Sequence, residues 1–192
     1  MIEINTSSVQ GELLRSDPRF KEEVEKASKF FNSPKFDHRA RTAVALHEGT
    51  HLFFTREAAA PFGGFEPRVY GPAVEYSKTR DEFYPSVGAV QSLPKSIRLK
   101  ADPIAVAKTF LAPNFVMKLL KFDYSFVSED GDIENFELWC AERFPEWRFE
   151  DRVRLWIQTE DSINRDLEDK DVEMNIWRAA WEFEQRVFGF VN

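Results

Sequence analysis

An apolar stripe along residues 37–58 is the feature that most constrains the fold of this chain. Its members recur at alternating spacings of four and three residues, so they share one face of an α-helix. They are Ala40, Val44, His47, His51, Phe54 and Ala58. Asp37 is a suitable N-cap, and Pro61, Gly63 and Gly64 end the pattern. We therefore predict a long helix that holds two histidines in its buried face.

The segments on either side predict a further helix and a small sheet. A helix is expected to begin at Pro18. Residues 65–90 are rich in β-branched and aromatic residues and are interrupted by glycine and proline, which is typical of short antiparallel strands. Another helix should begin at Pro103, and Pro113 is expected to kink it or to restart it.

The C-terminal part of the chain is predicted to be helical. Residues 133–143 form one expected helix, and two amphipathic segments that meet near Asp169 form a helical hairpin. Helices, then a small sheet, then more helices favour the α+β class. In a chain of 192 residues we expect an N-terminal helical extension over 1–36, a core over 37–144 and a hairpin packed on that core over 145–192.

Charge and hydropathy argue against several classes of partner. The formal net charge is -7, which disfavours binding to nucleic acid. No segment approaches the roughly 20 consecutive apolar residues of a membrane helix, and the N-terminus lacks the pattern of a secretory signal. Cys140 is the only cysteine, which fits a reducing compartment. We expect a cytoplasmic protein that binds neither nucleic acid nor a membrane.

The strongest functional signal is the spacing H-E-x-x-H at residues 47–51. Two histidines four apart on a helix lie one turn from each other, so both imidazoles can reach one metal ion. Burial of both without partners would be unfavourable, and a metal ion would satisfy them. We predict that His47 and His51 bind zinc. Glu48, beside them, is predicted to be the general base that accepts a proton from a metal-activated water.

A catalytic zinc site needs a third protein ligand and one open position for water. Phe54 and Glu57 stand where an extended motif would place a glycine and a third histidine, and Glu75 falls in a predicted strand rather than on a later helix. The remaining candidates are the acids of the segment SEDGDIENF, namely Glu129, Asp130, Asp132 and Glu134. We favour Asp132, because a carboxylate at the start of a helix can cap it and also reach a metal.

Several segments together resemble the peptidase domain of the FtsH proteases. They are RTAVALHEGTH, the strand region after it, the helix that contains FLAPNF, and the acidic stretch GDIENF. The resemblance covers residues 36–143. It implies a mostly helical metallopeptidase domain in which His47, His51 and Asp132 bind zinc and Glu48 is the base.

The chain also departs from that family. It has neither the phosphate-binding loop of an attached ATPase nor membrane helices. Gly49 and Thr50 replace the alanine and glycine that usually follow the glutamate, and Pro113 replaces a glycine of the later helix. These changes leave the metal chemistry in place, but they bear on the range of substrates.

The predicted function is zinc-dependent hydrolysis of peptide bonds in a peptide or protein substrate. Strands around Tyr70 to Tyr76 are expected to hold an extended substrate by edge pairing. The alternative is a metal-binding or interaction module that has the metallopeptidase fold without protease activity. Trp177, Trp181 and Phe188 support it, as a stripe on the C-terminal helices through which the chain could self-associate or bind a partner protein.

Overall fold

A computed structural model describes residues 14, 16–77, 81–122 and 130–189 of the chain. The helices are α1 (Pro18–Phe31), α2 (His38–Ala59), α3 (Lys95–Arg98), α4 (Pro103–Leu119), α5 (Asp130–Arg143), α6 (Phe149–Glu168) and α7 (Lys170–Phe188). The strands are β1 (Val69–Tyr70), β2 (Ala73–Ser77), β3 (Glu82–Ser86) and β4 (Ala89–Val90). The predicted α+β class, mostly helical with a small antiparallel strand region and C-terminal helices, is confirmed.

The strands form two antiparallel pairs, one nested inside the other. β2 and β3 form a hairpin, in which Glu75 lies opposite Tyr84. β1 and β4 flank this hairpin in sequence and pair with each other, with Val69 opposite Val90. The pairing of β1 with β4 brings β4 back towards α2, which it contacts.

Helix α2 is the central element of the fold. Its N-terminus is capped as predicted, because Asp37 Oδ1 accepts a hydrogen bond from the amide of Ala40 (3.0 Å). α2 packs against α4 and against α7, and α6 packs against α4. The larger apolar cluster fills the spaces between these helices and α5; its buried members include Leu46, Phe136, Trp139, Ile163 and Ile176.

A second apolar cluster lies between α1, the β2–β3 hairpin and the start of α2. It is dominated by the buried phenylalanines Phe20, Phe31, Phe36, Phe83 and Phe183. Phe183 belongs to α7, so the C-terminal helix contributes to this cluster as well as to the larger one. The predicted N-terminal helix is therefore packed onto the rest of the protein.

Gly49 allows α2 and α7 to approach each other closely. A Cβ atom at this position would lie 2.3 Å from the Cα and the backbone nitrogen of Ala180. Real Cβ atoms do not approach backbone this closely, so the backbone of α7 occupies the space that a side chain would need. The first variable residue of the H-E-x-x-H motif is thus small because of helix packing.

Two helices can be compared with the sequence-based expectations at their boundaries. α4 continues through Pro113 to Leu119, so of the two expected effects of the proline, a kink or a restart, the restart is wrong. α5 begins at Asp130 rather than at residue 133, so Asp132 lies in its first turn instead of at its N-cap. Within the described part of the chain, we find no helix with the length and apolar character that crossing a membrane requires.

Candidate metal centre

His47 and His51 point from one face of α2 into the protein. His47 is 3% exposed to solvent, and the side chain of His51 is 15% exposed. Their ring centroids are 4.9 Å apart, with the ring planes inclined by 77°. The helical spacing of four residues therefore places the two imidazoles side by side, as the sequence predicts.

Asp132 reaches the same point from α5. Its Oδ2 atom lies 3.2 Å from Nε2 of His47, and its Oδ1 atom lies 3.2 Å from Nε2 of His51. The three side chains form a group that could hold a metal ion, with one ligand atom from each within 4.8 Å of the others. The structure thus brings together the three residues that the sequence analysis favours as ligands.

The position of Asp132 depends on how α5 is anchored further along. Phe136 and Trp139 are buried in the larger apolar cluster. The carbonyl of Arg98, at the end of α3, accepts hydrogen bonds from Nε1 of Trp139 (3.3 Å) and from Nη1 of Arg143 (3.1 Å). These contacts fix α5 against the short helix that precedes α4, and they aim the first turn of α5 at the histidines.

A backbone carbonyl orients the second histidine. Nδ1 of His51 lies 2.7 Å from the carbonyl oxygen of Thr109 on α4. A carbonyl oxygen only accepts, so Nδ1 must donate and carry a proton. In the neutral imidazole, Nε2 then has its lone pair free towards Asp132, which is the tautomer that a metal ligand needs.

The pKa values of His51 and Asp132 are set by two opposing effects. Burial disfavours the charged form of both side chains, and the opposite charge beside each of them outweighs this effect. Although burial lowers the pKa of His51, the carboxylate of Asp132 raises it to about 9. Burial raises the pKa of Asp132, but the two imidazoles together bring it well below its usual value.

Glu48 lies next to the group and is half-buried. Burial raises the pKa of its carboxyl, although the charges of the two histidines and the nearby backbone amide of Val90 on β4 oppose this shift. A carboxyl group close to a candidate metal position is suited to accept a proton from a bound water and to return it.

The donor set suits a metal ion. A tetrahedral ion with bonds of about 2.0 to 2.1 Å would separate neighbouring ligand atoms by about 3.3 Å, and each oxygen of Asp132 lies 3.2 Å from one of the two Nε2 atoms. Two buried atoms, Oδ2 of Asp132 and Nδ1 of His47, have no hydrogen-bond partner among the described residues. An ion between these side chains would bind Oδ2 directly, so the oxygen would no longer be buried without a bonding partner.

The other candidate ligands do not join this group in the described residues. Glu134 is exposed, and Glu75 accepts a hydrogen bond from the hydroxyl of Tyr84 (2.9 Å) on the β2–β3 hairpin. Glu129 and the side chain of Asp130 lie outside the described residues. The backbone groups of Thr109 and Val90 could not be predicted from the sequence, because backbone groups carry no side-chain signal.

Comparisons of the chain with protein-family models, curated proteins and solved structures gave no match. The resemblance to the FtsH peptidase domain stays a prediction that depends on the residues of the motif and of the later acidic segment.

Proposed function

We propose that this protein is a zinc-dependent peptidase. The observation that supports this most is the convergence of His47, His51 and Asp132 beside Glu48. Two imidazoles and one carboxylate are ligands that zinc accepts, and three protein ligands leave one position for water. A structural zinc site would have four protein ligands and no need of a neighbouring base.

His47, His51 and Asp132 would hold the zinc ion, which would supply Lewis acidity for activation of a water molecule and of the peptide carbonyl. Glu48 takes the proton from the attacking water. After the carbon–nitrogen bond breaks, Glu48 returns the proton to the departing amine. The hydrogen bond of His51 to the Thr109 carbonyl keeps that imidazole in the orientation that binding requires.

The edge of β4 that faces away from β1 is the substrate-binding surface that we propose. The amide of Gln91 donates to the carbonyl of Arg68 on the side of β1 (2.8 Å). Because neighbouring residues of a strand alternate, the amide and carbonyl of Val90 point to the opposite edge, and Glu48 lies on that side. An extended peptide that adds to this edge would pass beside Glu48. β4 is therefore a better candidate than the strands around Tyr70 to Tyr76.

Substitution of the proposed base tests the function directly. Glu48→Gln should keep zinc, since Glu48 is not among the candidate ligands, and should lower the rate of peptide cleavage by at least about 100-fold. The rate would be followed on a denatured protein substrate, and the zinc content by elemental analysis. Glu57→Gln, an exposed position on the same helix, is the matched control and should cleave normally. Cleavage by Glu48→Gln at the wild-type rate would contradict the proposed role.

An interaction module without protease activity is the second candidate function. Its support in the structure is an exposed apolar stripe at the start of α6, at four-residue spacing. The exposed fractions are 72% for Phe149, 38% for Val153 and 52% for Ile157. A second copy of the chain is one partner that could cover such a face. In that case, sedimentation velocity would show concentration-dependent dimers, and Val153→Asp would abolish them. A monomer at all concentrations would exclude this mode of self-association.

A further inference from the structure

A carbonyl group inside α4 makes an unusual hydrogen bond. In a regular α-helix, the carbonyl of residue i accepts from the amide of residue i+4. For Thr109 the residue at i+4 is Pro113, which has no amide proton. Thr109 and Pro113 both lie in the buried part of α4. The sequence therefore leaves one buried carbonyl oxygen in the middle of a helix without its usual donor.

His51 takes the place of that donor. Its Nδ1 atom lies 2.7 Å from the Thr109 oxygen, a short hydrogen bond between α2 and α4. The hydroxyl of Thr109 is engaged elsewhere, because it donates to the carbonyl of Val106 (2.7 Å). A buried carbonyl has to be satisfied, and here the imidazole satisfies it.

We propose that Pro113 is a positioning residue of the metal centre. By removing the helical donor, it reserves the Thr109 oxygen for His51 and so fixes the orientation and the tautomer of that imidazole. Nδ1 then carries the proton, and Nε2 faces Asp132 as a ligand atom. The link to metal binding rests on the proposed function, whereas the hydrogen bond itself does not.

The expected effect is moderate for a physical reason. A carbonyl oxygen has two lone pairs, so an amide restored at position 113 would share the oxygen with His51 rather than displace it. Partners that orient metal ligands change metal affinity by about 10- to 100-fold when they are lost. Weakening of the contact by sharing should give an effect near the lower limit of this range.

The decisive variant is Pro113→Ala, which returns the amide and keeps a residue that favours helix. We expect its zinc affinity, measured by competition with a chromogenic chelator, to fall by about tenfold. Pro103→Ala is the matched control, because Pro103 begins the same helix and the carbonyl four residues before it, that of Leu99, precedes the helix. Its zinc affinity should equal that of the wild type.

A second measurement does not require zinc. In the metal-free protein, nitrogen-edited NMR should show a hydrogen-bonded proton on Nδ1 of His51, assigned by its loss in His51→Ala. In Pro113→Ala that proton should shift upfield and exchange faster with water. An unchanged proton signal, together with zinc affinity within about twofold of the wild type, would overturn the proposal. If the wild type binds no zinc, the proposed function fails, and the NMR comparison still decides the role of Pro113.

Discussion

Asp132 is the side chain on which the candidate metal centre depends most, because it is the ligand that comes from a second helix. The two histidines are placed by their spacing within α2, whereas Asp132 has to be brought to them by the fold. Its oxygens lie 3.2 Å from both Nε2 atoms. Loss of its charge should therefore remove a bond to the metal while the histidine pair remains.

We predict that Asp132→Asn lowers zinc affinity by more than the roughly 10- to 100-fold that loss of an outer partner costs. Wild-type protein purified without added zinc should carry about one equivalent of the metal, since the site has three protein ligands. Glu134→Gln, two residues further along and exposed, is the control and should bind zinc as the wild type does. If Glu134→Gln lost the metal and Asp132→Asn kept it, the ligand assignment would be wrong.

The side chains of the candidate metal centre could be predicted from the sequence, whereas its backbone contact could not. His47, Glu48 and His51 have a spacing with a direct chemical meaning, and Asp132 stands where a helix was expected to begin. The Thr109 carbonyl belongs to a group that every residue has. Only Pro113, four residues later, marks that carbonyl. From the sequence we expected this proline to kink the helix or to restart it, and not to remove a donor from the Thr109 carbonyl.

Among the elements, α2 and α7 cross closely beside the candidate metal centre. Gly49 lies between Glu48 and His51 in the motif, and the backbone of Ala180 fills the space beside it. The alanine that is usual at this position in the FtsH family would not fit here. The C-terminal helix thus sets the identity of a motif residue that has no part in the chemistry.

We predict that Gly49→Ala lowers the free energy of unfolding by about 1 to 3 kcal/mol, because a methyl group forces the two helices apart. Gly131→Ala is the matched control, since a Cβ atom there would meet no described atom within 4 Å. Its stability should be unchanged or raised by up to about 1 kcal/mol. Urea denaturation of both variants measures the difference, and equal stabilities would show that α7 gives way without strain.

The pairing of the strands could not be predicted in detail. β1 and β4 contain two residues each, which is too short to show an alternating pattern. The hairpin of β2 and β3 has five residues on each side and falls in the segment that the composition indicates. The antiparallel partner of β4, and with it the edge next to Glu48, depends on contacts that are distant in the sequence.

For the molecule as a whole, an ion-pair group joins the end of α2, the loop after it and α7. Arg56 Nη1 lies 2.8 Å from Oε2 of Glu182, and its Nε lies 2.9 Å from Oε2 of Glu66. Arg186 contacts both acids. The hydrogen bonds with Arg56 lower the pKa of Glu182 below its usual value of 4.5, against the opposing effect of burial.

This group makes stability depend on pH in a definite direction. A carboxyl whose pKa is lower in the folded state contributes fully above its unfolded pKa, and the contribution is lost as the pH falls through the folded value. We predict that Glu182→Gln loses about 0.5 to 1 kcal/mol at pH 7. The difference from the wild type should shrink below the unfolded pKa of 4.5. Thermal unfolding of the variant and the wild type, at pH 7 and below pH 4.5, measures this difference in stability. Glu184→Gln, on the same helix, is the control. A difference that grew towards acid would contradict the assignment.

The architecture was predictable further than the contacts between its parts. The periodicity of the C-terminal segments indicates two amphipathic helices, and the junction near Asp169 is where α6 ends and α7 begins. In the structure, α7 packs on α2 and α6 packs on α4. The apolar periodicity of the two segments does not predict these partners. Which apolar faces meet is decided by fit, as at Gly49, rather than by hydrophobicity alone.

The separation of the ligands along the chain has a consequence for turnover of the protein. Among the described residues, β1 to β4 and the helices α3 and α4 lie between His51 and Asp132. An ion bound to both residues would link the two ends of the segment between them. The bound ion would therefore stabilise the folded protein against unfolding. Stability would then rise with the concentration of free zinc. In a zinc-starved cell the protein would be lost to degradation as well as inactive, so its abundance would itself report the supply of the metal.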